Sequence, residues 1–284
     1  MKNFTNVFPR HLDIELTNQC QSNCPMCPRD KLPSIGFMTD ETFEKIFYEI
    51  KNSGLILAVT LSGMGEPFLH PNILKYIKAL KSLKINLNIS ISTNAEKLTP
   101  DVFDKLNALL SYNDLLRINI QAVDIFVYNN LMIGLNFKRI MKNIDYIAKK
   151  KSTLNLRMMC IVHKANYKHL KTMRLYFDSK NIILEEKLAF TRCGNLIDGV
   201  YVVPVEKYCD SIPNCALFRN NNFIDWEGNI YPCSNDIKRV NPIGNIKKDS
   251  FYDISIRKGI LIKKGLDFEI CQMCDDYARY VQGN

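Results

Sequence analysis

No stretch of this sequence approaches the roughly eighteen uncharged apolar residues that a membrane-spanning helix requires. The N-terminal segment MKNFTNVFPRHLDIEL also lacks the apolar core of a signal peptide, so the expectation is a cytoplasmic protein. Low-complexity segments, long linkers and internal repeats beyond a recurring strand-helix unit are missing as well. The formal charge is +9, but the lysines are not gathered in one block with interleaved aromatics, the arrangement a nucleic-acid-binding face uses. They are scattered along helical faces and read as a solvated surface, part of which could attract an anionic substrate such as a phosphorylated or nucleotide-linked sugar.

What is present is an ordinary globular composition, 46% hydrophobic and 24% charged over 284 residues. That is enough chain for one large domain with a small appendage and a sizeable core. Ten cysteines stand out. In a compartment that keeps thiols reduced they point to metal or redox use rather than to disulfides. Cys20, Cys24 and Cys27 fall within CQSNCPMC; Cys215, Cys233, Cys271 and Cys274 lie in the last quarter; Cys160, Cys193 and Cys209 stand alone. Three thiolates in eight residues can hold one metal centre from a single loop, and three is one fewer than a closed site needs. The vacant position is where an exogenous ligand can reach the metal.

Along the chain, HLDIELT alternates apolar and polar residues as a strand does, and the cysteine loop follows its C-terminal end. Helices are predicted over 39–54, 71–83, 99–110, 137–150 and 166–177. Strands are predicted over 55–63, 86–92, 115–120, 153–162 and 182–190, the 55–63 run being apolar enough for burial on both faces. Six strands with helices between them imply parallel pairing and right-handed crossovers, with the reactive loop at a strand C-terminal end. After Phe190 the rhythm breaks into turn-rich, cysteine-bearing sequence. Two domains are expected, 8–190 and 191–284, packed closely together.

CxxxCxxC resembles the signature of the radical S-adenosylmethionine (SAM) superfamily. The resemblance implies a partial (β/α)6 barrel, a [4Fe-4S] cluster on Cys20, Cys24 and Cys27, and SAM chelated to the fourth iron. Ser62-Gly63-Met64-Gly65-Glu66-Pro67 follows the second strand and is similar to the family's GGEP motif, with Met64 inserted between the glycines. By that likeness Gly63, Gly65 and Glu66 belong to the SAM methionine site. Ser92 and Asn94, at the end of the third strand, correspond to a Ser/Thr-Asn pair that holds the SAM ribose. Met26 stands where the family usually places an aromatic residue beside the adenine. Arg157 could pair with the SAM carboxylate, since guanidinium favours bidentate contact. Alternation in LNLRMMCIV puts Arg157 and Met159 on one face and Met158 and Cys160 on the other, and the sequence leaves open which faces inward.

The spacing Cys215, twelve residues, Gly228, four residues, Cys233, then Cys271-Gln-Met-Cys274 resembles the twitch domain, a shorter relative of SPASM. It implies one auxiliary [4Fe-4S] cluster on these four cysteines, because the further cysteines of a full SPASM domain do not follow. A structural zinc site is the alternative for each cysteine set. Cys209 is a weaker ligand candidate. Arg192-Cys193-Gly194-Asn195 resembles an Arg-x-Gly-Asn element of twitch-type dehydrogenases, which places Arg192 near the substrate, with a turn-stabilising role as its alternative. Cys193 or Cys160 could return a hydrogen atom to a substrate radical, although Cys160 in an apolar strand is most often core.

Taken together, the resemblance implies an enzyme that reductively cleaves SAM to a 5′-deoxyadenosyl radical and abstracts hydrogen from a small hydroxylated substrate, a sugar, aminocyclitol or nucleotide sugar. The auxiliary cluster would accept the second electron, making it an oxidoreductase. A flavodoxin or ferredoxin would supply the first. The rival readings are an epimerase, a peptide-modifying maturase, for whose leader-binding domain the sequence offers no room, and a non-catalytic zinc protein that binds RNA.

Overall fold

A computed structural model of the chain describes residues 8–150, 154–196 and 215–276. Cys209 lies outside the described residues. Nine strands form a single sheet. Strands β1 (His11–Ile14), β2 (Ala58–Leu61), β3 (Asn88–Thr93), β4 (Leu115–Asn119), β5 (Asn155–Val162) and β6 (Ile183–Leu188) pair in sequence order, all parallel. Helices α1 (Asp40–Ser53), α2 (Ile73–Lys81), α3 (Pro100–Asn107), α4 (Ile125–Leu131), α5 (Phe137–Lys149) and α6 (Leu170–Asp178) occupy the crossovers. This is the expected partial (β/α)6 barrel.

Local chemistry sets the helix ends. The α1 N-cap Thr39 accepts the Thr42 amide, and Gly54 closes the helix with φ of 61°, a left-handed conformation that glycine adopts without a Cβ penalty. Helix α4 was not anticipated. Its seven residues are too few to show a period, although Asp124 caps it by accepting the Phe126 and Val127 amides.

Strands β1 to β5 each bury one apolar face, whereas the edge strand β6 buries no residue fully. Leu12, Ile14, Val59, Leu61, Ile89, Ile91, Leu116, Ile118, Met158 and Cys160 are buried with the helices in one core. The other face is polar: His11 and Asp13 on β1, Thr60 on β2, Ser90 and Ser92 on β3, Arg117 and Asn119 on β4, Arg157 on β5 and Glu185 on β6. Strand β2 therefore departs from the expected burial on both faces. Its pattern alternates, and Leu55 and Leu57 before it are exposed. A barrel that holds a polar ligand needs only its outer face covered in hydrocarbon.

Beyond the barrel come α7 (Ala216–Asn220), β7 (Asn221–Ile224), β8 (Asn229–Tyr231), β9 (Gly244–Asn245), α8 (Phe251–Lys264) and α9 (Glu269–Gln272). Strand β7 pairs in parallel with β1, His11 opposite Asn221 through Ile14 opposite Ile224, and β8 and β9 continue antiparallel. The cysteine-bearing C-terminal region thus extends the barrel sheet past its first strand. Trp226, the one tryptophan of the chain, packs against Gly36 so closely that an added Cβ would lie 2.5 Å from its ring.

Candidate active site

The loop after β1 carries Cys20, Cys24 and Cys27. It is pinned from several sides. Cys27 N–H donates to Cys24 O at 3.0 Å, Asn23 N–H to Ile133 O at 2.8 Å, and Ser22 Oγ to the same carbonyl at 3.0 Å. Gly134, with φ of 91°, lies so near the loop that a Cβ would sit 2.6 Å from Gln21 O. The segment after α4 is therefore a wall of the site, one that sequence reasoning missed. Its only signal was a glycine in LMIGLN.

The three cysteines line a cavity of about 160 Å³ with Gly63, Met64, Gly65, Glu66, Ser92 and Asn94. Asn119, Gln121 and Met132 complete it, none of them picked out from sequence. Met132 Sδ is 3.6 Å from Cys24 Sγ, and Asn94 Nδ2 is 3.9 Å from Cys20 Sγ. Burial pushes the Cys20 and Cys24 thiols up to about 11 and raises Cys27 too, against the opposing charge of Arg192 on Cys27. Thiols of this kind ionise when a metal takes the proton's place.

Glycine is required at position 65. A Cβ there would lie 2.3 Å from Thr17 O and 2.6 Å from Gln19 O, so the backbone of this turn runs directly against the cysteine loop. Glu66 N–H donates to Gln19 O at 2.9 Å. The Glu66 carboxylate is turned into the protein, where it accepts Thr93 Oγ1 at 2.6 Å, Asn94 N–H at 2.7 Å and Phe68 N–H at 3.2 Å. It ties the β2 turn to the end of β3 and thereby fixes Asn94. Its burial pushes the carboxyl up to about 7.

Glu15, at the end of β1, is fully buried. It accepts the Met64 amide at 2.7 Å and the Arg239 guanidinium at 3.0 and 3.1 Å. Arg239 also lies over the rings of Phe223 (4.4 Å) and Tyr231 (5.1 Å). Neither residue was singled out from sequence, where Glu15 read only as a polar position in an alternating strand.

Arg157 is held elsewhere. Its guanidinium donates to Glu185 at 2.8 Å and to Asn155 at 3.2 Å, Arg117 binds the same carboxylate at 2.9 Å, and Arg157 lines neither cavity of the site. Two arginines on Glu185 lower that carboxyl despite its partial burial. Cys160 lies on the helix-covered face, near Gln121 O and accepting from Asn166 Nδ2 at 3.3 Å.

A second cavity, of about 270 Å³, adjoins the first. It is lined by Met26 and Cys27 of the cysteine loop, Gly63 and Met64 of the glycine turn, Asp13, Thr60 and Ile161 of the barrel strands, Arg192, and Phe223 and Ser234 of the C-terminal region. Asp13 is the one carboxylate among its described lining residues. His11 Nε2 lies 2.7 Å from Thr60 Oγ1 and 3.3 Å from Asp13. Arg192 donates to Ser234 O at 3.4 Å and its guanidinium lies 5.5 Å from the Phe190 ring.

In the C-terminal region Cys233, partly exposed, has its thiol pushed well above the usual range, by desolvation first and then by the nearby sulfurs of Cys271, Cys215 and Cys274. These cysteines come from three segments and lie within electrostatic reach of Cys233. Residues 14–176 match the description of the radical SAM superfamily, and residues 215–275 match that of an iron-sulfur cluster-binding domain, SPASM.

The chain belongs to the radical SAM superfamily. As a radical SAM enzyme with a SPASM-type domain it takes a [4Fe-4S] cluster with SAM and an auxiliary iron-sulfur cluster. The donor types suit both groups: three cysteines and a glycine turn line one cavity, and Cys215, Cys271 and Cys274 lie within electrostatic reach of Cys233. The chain is 22% identical to the tungsten-containing aldehyde ferredoxin oxidoreductase cofactor-modifying protein of Pyrococcus furiosus, covering 86% of this chain and 80% of that protein. Its fold is similar to the crystal structure of BtrN in complex with AdoMet and 2-DOIA, at 16% identity and a TM-score of 0.65, over 95% and 94% of the two chains. It is also similar to Streptococcus suis SuiB bound to its precursor peptide SuiA, at 16% identity and a TM-score of 0.73, over 95% of this chain and 71% of that one. Among the described residues no helix of this radical SAM protein is long and apolar enough to cross a membrane.

Proposed function

We propose that this radical SAM enzyme oxidises a small hydroxylated molecule, a sugar, aminocyclitol or nucleotide sugar, with a single auxiliary [4Fe-4S] cluster as electron acceptor. The observation that carries the reading is the 270 Å³ cavity, lined jointly by Met26 and Cys27 of the SAM-cluster loop and by Phe223 and Ser234 of the cluster-binding domain. A space of that size suits a small molecule better than a peptide segment. The fold likeness to a BtrN complex containing 2-DOIA supports the same direction.

When bound, SAM and its cluster supply a carbon radical that removes one hydrogen atom from the substrate. The chain's own residues do the rest. Cys20, Cys24 and Cys27 would hold the cluster; Gly63 and Gly65 would present backbone to the SAM methionine; Ser92 and Asn94 would meet its ribose. Glu66 positions Asn94, and Glu15 positions Met64. Arg192 holds a substrate hydroxyl or phosphate by charge and hydrogen bonding. Asp13 takes the hydroxyl proton released as the substrate gives up its second electron, with His11 beside it to carry the proton onward. Cys215, Cys233, Cys271 and Cys274 would hold the auxiliary cluster, whose chemistry would be to accept an electron. A flavodoxin or ferredoxin supplies the initiating electron.

The reading favours oxidation over epimerisation because neither thiol proposed to return a hydrogen atom is among the described lining residues of the cavity: Cys160 is buried in the helix-covered core, and Cys193 is buried outside the lining. The test is anaerobic turnover of reconstituted enzyme with a panel of polyols, aminocyclitols and nucleotide sugars deuterated at the carbinol carbons. The expected result is reductant-dependent 5′-deoxyadenosine carrying substrate deuterium, together with a ketone product. Solvent deuterium appearing in a product of unchanged oxidation level would overturn it.

A further inference from the structure

The inner face of the barrel carries a group of charges that the reaction described above does not use. Glu185 on β6 accepts Arg117 Nε at 2.9 Å and Arg157 Nη1 at 2.8 Å, the two arginine side chains being 21% and 36% exposed and the carboxylate 20%. Each arginine gives this carboxylate a single nitrogen. Arg174 and Arg257, by contrast, each close a two-nitrogen fork on theirs. Arg157 spends its Nε on Asn155, so both terminal nitrogens of Arg117 and one of Arg157 are left without a hydrogen-bond partner among the described residues. Lys187, two residues beyond Glu185 on the same face of β6, is half-buried and makes neither a hydrogen bond nor an ion pair among the described residues. Burial first, and the Arg117 charge second, hold its amine below the usual lysine range, against the charges of Glu185 and Asp276. A cation withdrawn from water without a partner is costly to the fold.

Strand register sets this group one step down the barrel from the substrate cavity. Lys187 lies opposite Ile161 and two residues before Ala189, and both of those residues line the 270 Å³ cavity. Arg117 likewise stands two residues before Asn119, which lines the smaller cavity. Two residues of a parallel strand span about 6.6 Å, a distance an extended lysine side chain covers. Three cations around one carboxylate leave the inner face positive, with N–H donors unspent. We propose that the substrate carries a phosphate group, and that Lys187 and Arg117 bind it at the foot of the cavity while Glu185 holds the guanidinium in place. This rests on the assignment of the 270 Å³ cavity as the substrate site and narrows the class of substrate. A planar guanidinium and a compact ammonium both suit phosphate oxygens, and partial burial strengthens the attraction. A sugar phosphate or nucleotide sugar meets that requirement; an aminocyclitol, itself a cation, is repelled.

The experiment is equilibrium dialysis of the reconstituted full chain against labelled inorganic phosphate, a measurement that needs no turnover. Lys187→Met is expected to bind phosphate about tenfold more weakly or worse, the usual loss for one charge-assisted hydrogen bond. Lys187→Arg is expected to keep most of the affinity. Because Lys187→Met breaks no contact, its denaturant unfolding without phosphate is expected to show a chain at least as stable as the parent. Equal phosphate affinity in parent and Lys187→Met overturns the proposal, and so does a less stable Lys187→Met chain, which would make the lysine structural. The source of the phosphate is read from 5′-deoxyadenosine formation, where inorganic phosphate is expected to compete with sugar phosphates and nucleotide sugars. A neutral polyol that turns over only when inorganic phosphate is added would make the ion a separate ligand and overturn the substrate assignment. Phosphate binding that depends on Lys187, in an enzyme that forms no oxidised product, would refute the oxidation alone.

Discussion

Arg239 and Glu15 are 224 residues apart in sequence, yet one guanidinium nitrogen of Arg239 lies 3.0 and 3.1 Å from the two Glu15 oxygens, with side-chain exposures of 5% and 0%. The same carboxylate accepts the Met64 amide. The ion pair therefore joins the cluster-binding region to the turn proposed to hold SAM. Removing one partner of a buried pair leaves an uncompensated charge and typically costs about 3–5 kcal/mol, whereas replacing both can be nearly neutral. Arg239→Met is expected to destabilise the protein by that order and to weaken SAM binding, as read by denaturant unfolding and equilibrium dialysis. The double variant Glu15→Gln/Arg239→Met should recover most of the stability. A single variant as stable as the parent would contradict the account.

Gly65 admits no side chain. Its Cβ position falls 2.3 Å from a backbone oxygen, which no rotamer change relieves. Gly65→Ala should displace the turn or the cysteine loop and weaken SAM binding at least tenfold, about 1.4 kcal/mol. Gly54→Ala, where nothing lies within 4 Å, should leave SAM binding unchanged and cost only the strain of a left-handed alanine, about 1 kcal/mol.

Glu66 gives a pH signature. Burial raises its carboxyl from 4.5 to about 7, against the three hydrogen bonds that lower it. Between those values the unfolded chain has lost its proton and the folded one keeps it, so stability falls as pH rises from about 4.5 to about 7 and then levels off. The full span corresponds to roughly 3 kcal/mol at 1.36 kcal/mol per unit. Glu66→Gln should remove that slope from the unfolding free energy measured across pH 4.5–7.5. It should also lower stability overall, since an amide cannot accept from all three donors.

Asp13→Asn separates hydrogen abstraction from oxidation. If Asp13 is the proton acceptor, the variant should still form 5′-deoxyadenosine in the presence of substrate but yield at least a hundredfold less oxidised product, in keeping with the usual size of a general-base contribution. Cys24→Ala, by contrast, should abolish 5′-deoxyadenosine altogether. Parallel loss of both products in Asp13→Asn would assign it to substrate binding.

Much of the barrel was legible because its strands and helices are short-range patterns: apolar alternation for β1, a Thr39 cap and Gly54 stop for α1, buried Leu, Val and Ile throughout. The first cysteine set was legible because ligands that share a loop must be close in sequence; the second, spread over three segments, was legible only through its resemblance to the twitch spacing. What escaped depends on distant pairing. Glu15 becomes significant only when Arg239 arrives from the far end of the chain. The direction of Arg157 is decided by Glu185 on a neighbouring strand. Cys193 could be seen as a spare thiol, but the left-handed backbone it shares with Arg192, φ of 56° and 53°, carries side chains and gave no glycine signal.

Strand β1 has no free edge: β2 fills one side and β7 the other. In a growing chain, the amides and carbonyls of His11–Ile14 on the β7 side must wait for Asn221–Ile224, about two hundred residues downstream. A chain cut off near residue 190 would therefore present an unsated strand, prone to stick to its own kind.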